Sequence, residues 1–393
     1  MTERLDRAPP KISPLYDPRY RAIAYQVALC LVLGFLAYSA IENMASNLAR
    51  ANIATGLAFW NHTAGFDISQ TLIPYAPDVS TYGRAFWVGL LNTLLVTVLG
   101  IVFSTILGFF IGIARLSSNV LIARLAAAYV ELIRNIPLLL QLLFWYNAVL
   151  KALPGVRESL GVPGGGFVNN RGLFLPRPEI AGADAIAIAF LAGVAAALVF
   201  LWLRGRLTRA VSGVTAFVVT ALLVLIPPVV AFVASGATVA FDYPQMGRFN
   251  IRGGIEILPE FVALLTGLVF YTASFIAEAV RAGLAAVAKG QTEAAYALGL
   301  RRGATLRLIV IPQAMRVIIP PLTNQYLNLT KNSTLAVAIG YPDLVQIFAG
   351  TVLNNTGQAV EVIVITMAVY LTISLATSLL MNWYNARTAL VER

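Results

Sequence analysis

Residues 85–114 read AFWVGLLNTLLVTVLGIVFSTILGFFIGIA, without one ionisable side chain. A helix rises about 1.5 Å per residue and the hydrocarbon core of a bilayer is about 30 Å thick, so roughly 20 apolar residues cross it. This run is long enough to cross with a tilt or with one end in the interface. The whole chain agrees with it: 59% of the 393 residues are hydrophobic and 12% are charged. Soluble domains carry about 25% charged residues, so this chain could not keep a surface wet. The apolar content excludes disorder, and the single Cys30 excludes a disulfide scaffold.

Outward from 85–114, similar runs recur. Ala22–Ile41 precedes it. Ala126–Leu150 follows, with Glu131 and Arg134 near its start, and then come Ala185–Leu203, Ala210–Phe232 and Phe261–Ala282, the last holding Glu278. Val317–Gly340 is interrupted by Pro320, Pro321 and Lys331, and Val362–Ala386 is the final run. The predicted fold is all-α, a polytopic membrane protein of about eight transmembrane helices.

An even number of spans puts both ends on one side. Of the 28 Lys and Arg residues, eighteen then fall on the side of the termini and eight on the other, with Arg134 and Lys331 inside spans. Basic residues accumulate on the cytoplasmic side, so the expectation is N-in and C-in. The net charge of +10 is then an orientation signal, and no nucleic-acid partner is expected.

Residues 1–21, with four prolines, read as a disordered cytoplasmic arm. No clean small-x-small site closes the first run, so it is expected to be a span and not a signal peptide. Residues 42–84 are expected to form an outer loop whose Phe59, Trp60, Phe66, Tyr75 and Tyr82 lie in the membrane interface. Residues 151–184 read as a Gly/Pro-rich outer loop around Gly164-Gly165-Gly166. No repeat of 20–50 residues is visible.

The longest inner loop reads Gly290-Gln291-Thr292-Glu293-Ala294-Ala295-Tyr296-Ala297-Leu298-Gly299 and continues to Ile309-Val310-Ile311-Pro312. Ala285–Leu298 is rich in helix formers, Gly299 suits the left-handed end of a helix, and Ala304–Ile311 is a second helical stretch. Pro312 is expected to bend the chain toward the membrane. Ala294, Ala295 and Ala297 give a low-relief face that another backbone could approach. These residues by themselves allow either an ordinary solvated loop or a docking element.

The spacing Glu293-Ala294-Ala295, Gly299, Ile309-Val310-Ile311-Pro312 resembles the EAA loop of ATP-binding-cassette importer permeases, departing only at Ile311, where Leu is usual. Tyr129-Val130-Glu131-Leu132-Ile133-Arg134-Asn135-Ile136-Pro137, Ala277-Glu278-Ala279-Val280-Arg281-Ala282-Gly283 and Lys331-Asn332-Ser333-Thr334 with Ile339-Gly340-Tyr341-Pro342-Asp343-Leu344 are similar to stretches of polar amino-acid permeases (the histidine/glutamine permease family). By that resemblance, residues 85–150 and 259–386 form the permease core, with a coupling loop at 284–316. Residues 22–84 add a first span and outer loop, 151–258 insert two extra spans, and 387–393 are a cytoplasmic tail. The insertion and the outer loop resemble a permease subunit of the general L-amino acid importers of alpha-proteobacteria.

The resemblance implies a multi-pass permease of the bacterial inner membrane that passes amino acids. It implies as partners a homologous permease subunit, two cytoplasmic ATPase subunits and a periplasmic amino-acid-binding protein. Glu293, Ala294, Ala295, Gly299, Ile309 and Pro312 would form the coupling element that docks on the ATPase. No Gly-x-x-x-x-Gly-Lys-[Ser/Thr] occurs in the chain, so ATP and Mg are expected on the partner ATPase and no cofactor on this chain. One His (His62) and one Cys cannot build a Cys/His metal cluster. No nucleophile–base set is evident, so an enzyme is not expected. The competing classes are a secondary transporter or channel for small polar solutes, which would need ion-coupling groups or a repeated half, and a membrane scaffold.

Ionisable residues within spans cost about 2.5–3.5 kcal/mol each and default to functional candidates. Glu131 and Arg134, three apart, are expected to pair on one helix face. Tyr271, Ser274, Glu278 and Arg281 share a helical stripe, which would either line a pathway with Glu278 facing a substrate ammonium or leave Glu278 paired with Arg281. Lys331, Asn332, Ser333 and Thr334 follow the Pro-interrupted segment. They suit a substrate carboxylate, unless Lys331 snorkels to the interface.

Overall fold

The computed structural model describes residues 18–50, 55–180, 182–207, 213–236, 238–247 and 250–388. The helices in chain order are α1 (Pro18–Arg50), α2 (Tyr82–Ala114), α3 (Val120–Asn135), α4 (Leu138–Leu143, continued by a π-helical Phe144–Leu150), α5 (Ala183–Leu207), α6 (Gly213–Ala234), α7 (Pro259–Ala285), α8 (Lys289–Ala297), α9 (Arg302–Thr305, continued by a π-helical Leu306–Val310), α10 (Ile311–Asn332), α11 (Leu353–Thr356) and α12 (Ala359–Thr388). Among the described residues six helices are long and apolar enough to cross a bilayer, and the bent pair α3/α4 makes a seventh span. Val218–Ala234 of α6 is apolar but shorter than a full span, so the described residues give six or seven spans against the eight expected. The all-α membrane fold therefore stands. Of the expected N-terminal arm, residues 1–17 lie outside the described residues, and 18–21 already belong to α1.

Between spans there is no hydrophobic drive for association, because lipid is as apolar as Leu; close packing has to supply it. On α2, Gly100, Ser104, Gly108 and Gly112 recur every four residues and are all buried. A Cβ at Gly108 would sit 2.6 Å from the Ile276 side chain, and one at Gly112 2.7 Å from Val280. The α2 backbone thus lies directly on α7, whose Ala263, Leu264, Leu268, Ile276, Ala277 and Val280 are buried. Helix α10 joins them through Ala314, Ile318 and Leu322.

One span is sharply bent, at a proline. At Ile136-Pro137 the chain bends by 103° between α3 and α4. A residue before proline is pushed out of the helical region, and Ile136 is extended (φ −96°, ψ 125°). Residues Pro320 and Pro321 do not break α10, which runs through them. Burial of Ile318, Ile319 and Leu322 holds the helix together there. After Asn332 the helix continues, Ser333–Ile339 tightening to a 3₁₀ helix that ends on Gly340 at φ +78°. Pro312 sits in the first turn of α10, directly after the π-helical Leu306–Val310.

The aromatic loop does not lie loose in the interface. Phe59, Trp60, Phe66, Tyr75 and Tyr82 pack with Phe86, Phe348 and Val352 into a cap over the ends of α2 and α12. Burial there, with Asp67 and Tyr82 nearby, pushes the Tyr75 phenol up to about 12. The inserted loops are also more ordered than their composition suggests. Strands β1 (Leu160–Val162), β2 (Gly166–Asn169), β3 (Gly172–Leu175), β4 (Arg177–Ile180), β5 (Val239–Asp242), β6 (Gln245–Met246), β7 (Ile251–Arg252) and β8 (Ile255–Ile257) form a four-stranded sheet, β1-β2-β3-β8, and two ribbons, β4-β5 and β6-β7. Helices α5 and α6 pack on each other, with Gly193 seated against the Leu223 carbonyl and Pro227. Their outward Ile188, Leu191, Leu198, Leu225, Val229 and Val233 are exposed, as is the apolar length of α1.

Candidate functional site

The helix–Gly–helix loop protrudes from the core. Helix α8 ends in a Schellman motif: Gly299 N–H donates to the Tyr296 carbonyl and Leu300 N–H to the Ala295 carbonyl. Gly299 has φ +77°, which a side chain strongly disfavours. Ala295 is buried beneath α8, while Glu293 and Ala294 face outward. Around them Tyr296, Leu298, Leu306, Leu308 and Ile311 are exposed large apolar residues, interleaved with exposed Arg301, Arg302 and Arg307. Ile309 is half-buried and Pro312 exposed at the start of α10. The loop therefore presents an apolar surface with a basic rim.

A second constellation forms where the bent α3/α4 span meets the 3₁₀ end of the α10 span. Leu138 and Leu142, just after the bend, pack with Ala336 and Ile339 of the 3₁₀ end and with Leu264 and Leu268 of α7; Tyr271 borders the cluster. Buried Gln141 donates its Nε2 to the carbonyls of Ile133 (2.9 Å) and Ile136 (2.9 Å), groups that the 103° bend leaves without helical partners. The break is thus stabilised by a side chain placed for it.

Beside this cluster, α10 carries Val317, Pro320, Asn324, Asn328 and Lys331, all exposed, at spacings of 3, 4, 4 and 3. That spacing is one helix face. Asn324, Asn328, Lys331 and the following Asn332 make no side-chain hydrogen bond or ion pair with any described residue. Ser333 is buried and donates to the Thr330 carbonyl, and the Thr334 hydroxyl donates to the Lys331 carbonyl.

The α7 stripe is divided in its roles. Ser274 is fully buried and donates to the Tyr271 carbonyl at 2.6 Å. Glu278 is ion-paired on both sides, to Arg281 of its own helix and to Arg115 at the C-terminal end of α2. Both of its oxygens are engaged, so of the stripe only Tyr271 stands where the bent span meets the 3₁₀ end. The expected Glu131–Arg134 pair is not formed among the described residues. Arg134 instead lies over the Phe275 ring, 4.8 Å from its centroid, and Glu131 is exposed.

Sequence reasoning passed over several of these residues. Arg115, one of the eighteen basic residues on the side of the termini, carries no local motif that marks it. The Asn324–Asn328–Lys331 spacing was legible in the sequence, whereas Gln141 in a run of leucines gave little sign. Asp343, between the 3₁₀ Ser333–Ile339 and the π-helical Val345–Val352, is 1% exposed. It accepts from Gln346 N–H at 2.7 Å and from the Tyr370 hydroxyl at 3.3 Å. Burial pushes its carboxyl up to about 7, against those hydrogen bonds.

Comparison with known proteins agrees with this architecture. Residues 185–390 match the family described as "Binding-protein-dependent transport system inner membrane component". The chain is 51% identical over 385 residues to the general L-amino acid transport system permease protein AapQ of Rhizobium johnstonii, covering 97% of this chain and 95% of that protein. It is 49% identical to the putative amino-acid ABC transporter permease protein YhdX of Escherichia coli, with 96% of each covered. It is 43% identical to the glutamate/glutamine/aspartate/asparagine transport system permease protein BztB of Rhodobacter capsulatus, again with 96% of each covered. The chain belongs to the family of inner-membrane components of binding-protein-dependent transport systems.

Proposed function

We propose that this chain is a permease subunit of an ATP-driven amino-acid importer. It takes solute from a periplasmic amino-acid-binding protein and passes it inward, coupled through residues 284–316 to a separate ATPase. The observation that carries the coupling role is the capped, protruding helix α8 with its exposed apolar surface. Glu293 and Ala294 with Leu298 and Leu308 form the face that enters a groove on the ATPase. Ala295 lets the helix lie close to its own support, Gly299 sets the turn, and Ile309 and Pro312 begin the connection to α10. Both termini and this loop lie in the cytoplasm, an orientation supported by the basic residues that flank the loop.

ATP and Mg are held by two partner ATPase subunits, and this chain catalyses no reaction itself. A homologous permease subunit faces the Asn324–Asn328–Lys331 stripe across the pathway, because amides and an ammonium are costly against lipid. Lys331 and Asn332, with Thr334 and Tyr271 close by, meet the solute carboxylate where the bent span and the 3₁₀ end of the α10 span converge. Ser274, Ser333 and the paired Glu278 stand behind that face and hold its shape. Closing of the ATPases draws the coupling loops together and shifts the pathway from outward to inward exposure, because the two states differ in solute affinity.

A Glu293→Lys chain tests the coupling assignment. It should insert in the membrane at ordinary levels yet fail to retain the ATPase on purification, or retain it without driving uptake. Full uptake by that variant would overturn the assignment.

A further inference from the structure

The inserted hairpin α5/α6 continues beyond its helix ends as the ribbon β4/β5. A Cβ at Gly182 would sit 3.7 Å from the Ser235 side chain, so the two chain ends leave the helices side by side. The register pairs Arg177 with Asp242, Pro178 with Phe241, Glu179 with Ala240 and Ile180 with Val239. Partners directly opposite share a face, and neighbours along a strand alternate. One face of the ribbon therefore carries Pro178, Ile180, Val239 and Phe241, and the other Arg177, Glu179, Ala240 and Asp242.

On the polar face Asp242 accepts from Gly254 N–H at 2.9 Å, and Arg177, Glu179 and Ala240 are exposed. The apolar face is uncovered: Val239 is 45% and Phe241 52% exposed, with Tyr243 beside Phe241 at 6.3 Å between ring centroids. Its place in the fold says what covers it. The hairpin below shows lipid-type surface, with large apolar side chains outward along both helices. Ile180 and Val239 follow within a few residues of the helix ends Ala183 and Ala234. A strand residue advances about 3.3 Å, and each interfacial zone is roughly 5–7 Å deep. The Ile180–Val239 pair thus falls at headgroup level and the Pro178–Phe241 pair just beyond it. Aromatic rings favour that zone.

We infer that the β4/β5 ribbon is an interfacial membrane anchor, its Pro178–Ile180–Val239–Phe241 face resting on lipid headgroups at the outer mouth of the inserted hairpin. The inserted segment then tethers the periphery of the permease to the bilayer surface instead of contributing to the solute path. This holds whichever solute is carried.

The test uses the assembled transporter in phosphatidylethanolamine/phosphatidylglycerol vesicles, with Cys30→Ser as background and nitroxide labels at Val239→Cys, Ala240→Cys, Phe241→Cys and Glu179→Cys. Collision with oxygen reports lipid, and collision with a nickel chelate reports water. Labels at 239 and 241 should favour oxygen over nickel several-fold relative to labels at 179 and 240. Two adjacent positions on each face keep the result readable if one variant assembles poorly. Equal nickel access on both faces would overturn the proposal. So would labels at 239 and 241 that are immobile and shielded from both reagents, because a protein partner would then cover the face.

Discussion

Arg115, at the C-terminal end of α2, is ion-paired with Glu278 of α7. With Arg281 on the other carboxylate oxygen, this triad ties the most densely packed helix pair together a few residues before the chain enters the coupling loop. Removing one member of a fully buried pair is strongly destabilising, whereas exposed pairs contribute little. The side chains here are 17% and 30% exposed. Glu278→Gln should cost about 1–3 kcal/mol, between those limits, and should loosen coupling, read as ATP hydrolysis that no longer responds to loaded binding protein. Unchanged melting and unchanged stimulation would reduce the triad to a surface contact.

Gln141 serves two carbonyls at once. Gln141→Leu keeps the bulk and the apolar surroundings but leaves both carbonyls unmatched. Each orphaned buried acceptor costs roughly 1–3 kcal/mol. The purified complex should melt well below the parent, while Gln141→Glu, which loses the donors and adds a charge, should assemble worse still. A Leu variant that melts like the parent would mean that water already serves the break.

Gly299 holds a left-handed conformation at the end of α8. A β-branched residue there is strained by about 1–2 kcal/mol. Gly299→Val should fray the helix end and weaken ATPase retention, and Gly299→Asn, which tolerates this region better, should recover most of it. Equal retention by both variants would remove the turn from the account.

Asp343 gives a pH signature. Its carboxyl is raised to about 7 by burial, above the ordinary aspartate value of about 3.9 in the unfolded chain. The folded form therefore favours the protonated acid. Its stability contribution is present below the unfolded value and is lost as pH rises through about 7. Asp343→Asn keeps an acceptor for Gln346 N–H, puts an amide donor where Oδ2 accepts from Tyr370, and cannot ionise. Its melting temperature relative to the parent should rise from pH 6 to pH 8; a difference constant over that range would contradict the assignment.

The long apolar runs were legible because a bilayer-spanning helix has one gross requirement, length without charge, and residues 85–114 meet it unambiguously. Gly299 was legible because only glycine is at ease at its φ. Proline alone did not tell which span bends. Ile136-Pro137 obeys the local steric rule, whereas Pro320-Pro321 are overruled by tertiary packing of Ile318, Ile319 and Leu322. The strands between α4 and α7 are two to four residues long, too short for alternation to stand out among glycines and prolines. The fate of Glu278 depended on Arg115, 163 positions away, which no periodicity reveals.

The most direct test of the central claim is uptake. The chain is reconstituted with its homologous permease subunit, ATPase and binding protein in vesicles, and labelled amino acid is followed with ATP or with an imposed ion gradient as the energy source. The account predicts uptake that requires ATP and the binding protein and is lost in the Lys331→Ala chain with assembly intact. Uptake by this chain alone, driven by an ion gradient and indifferent to ATP, would contradict it.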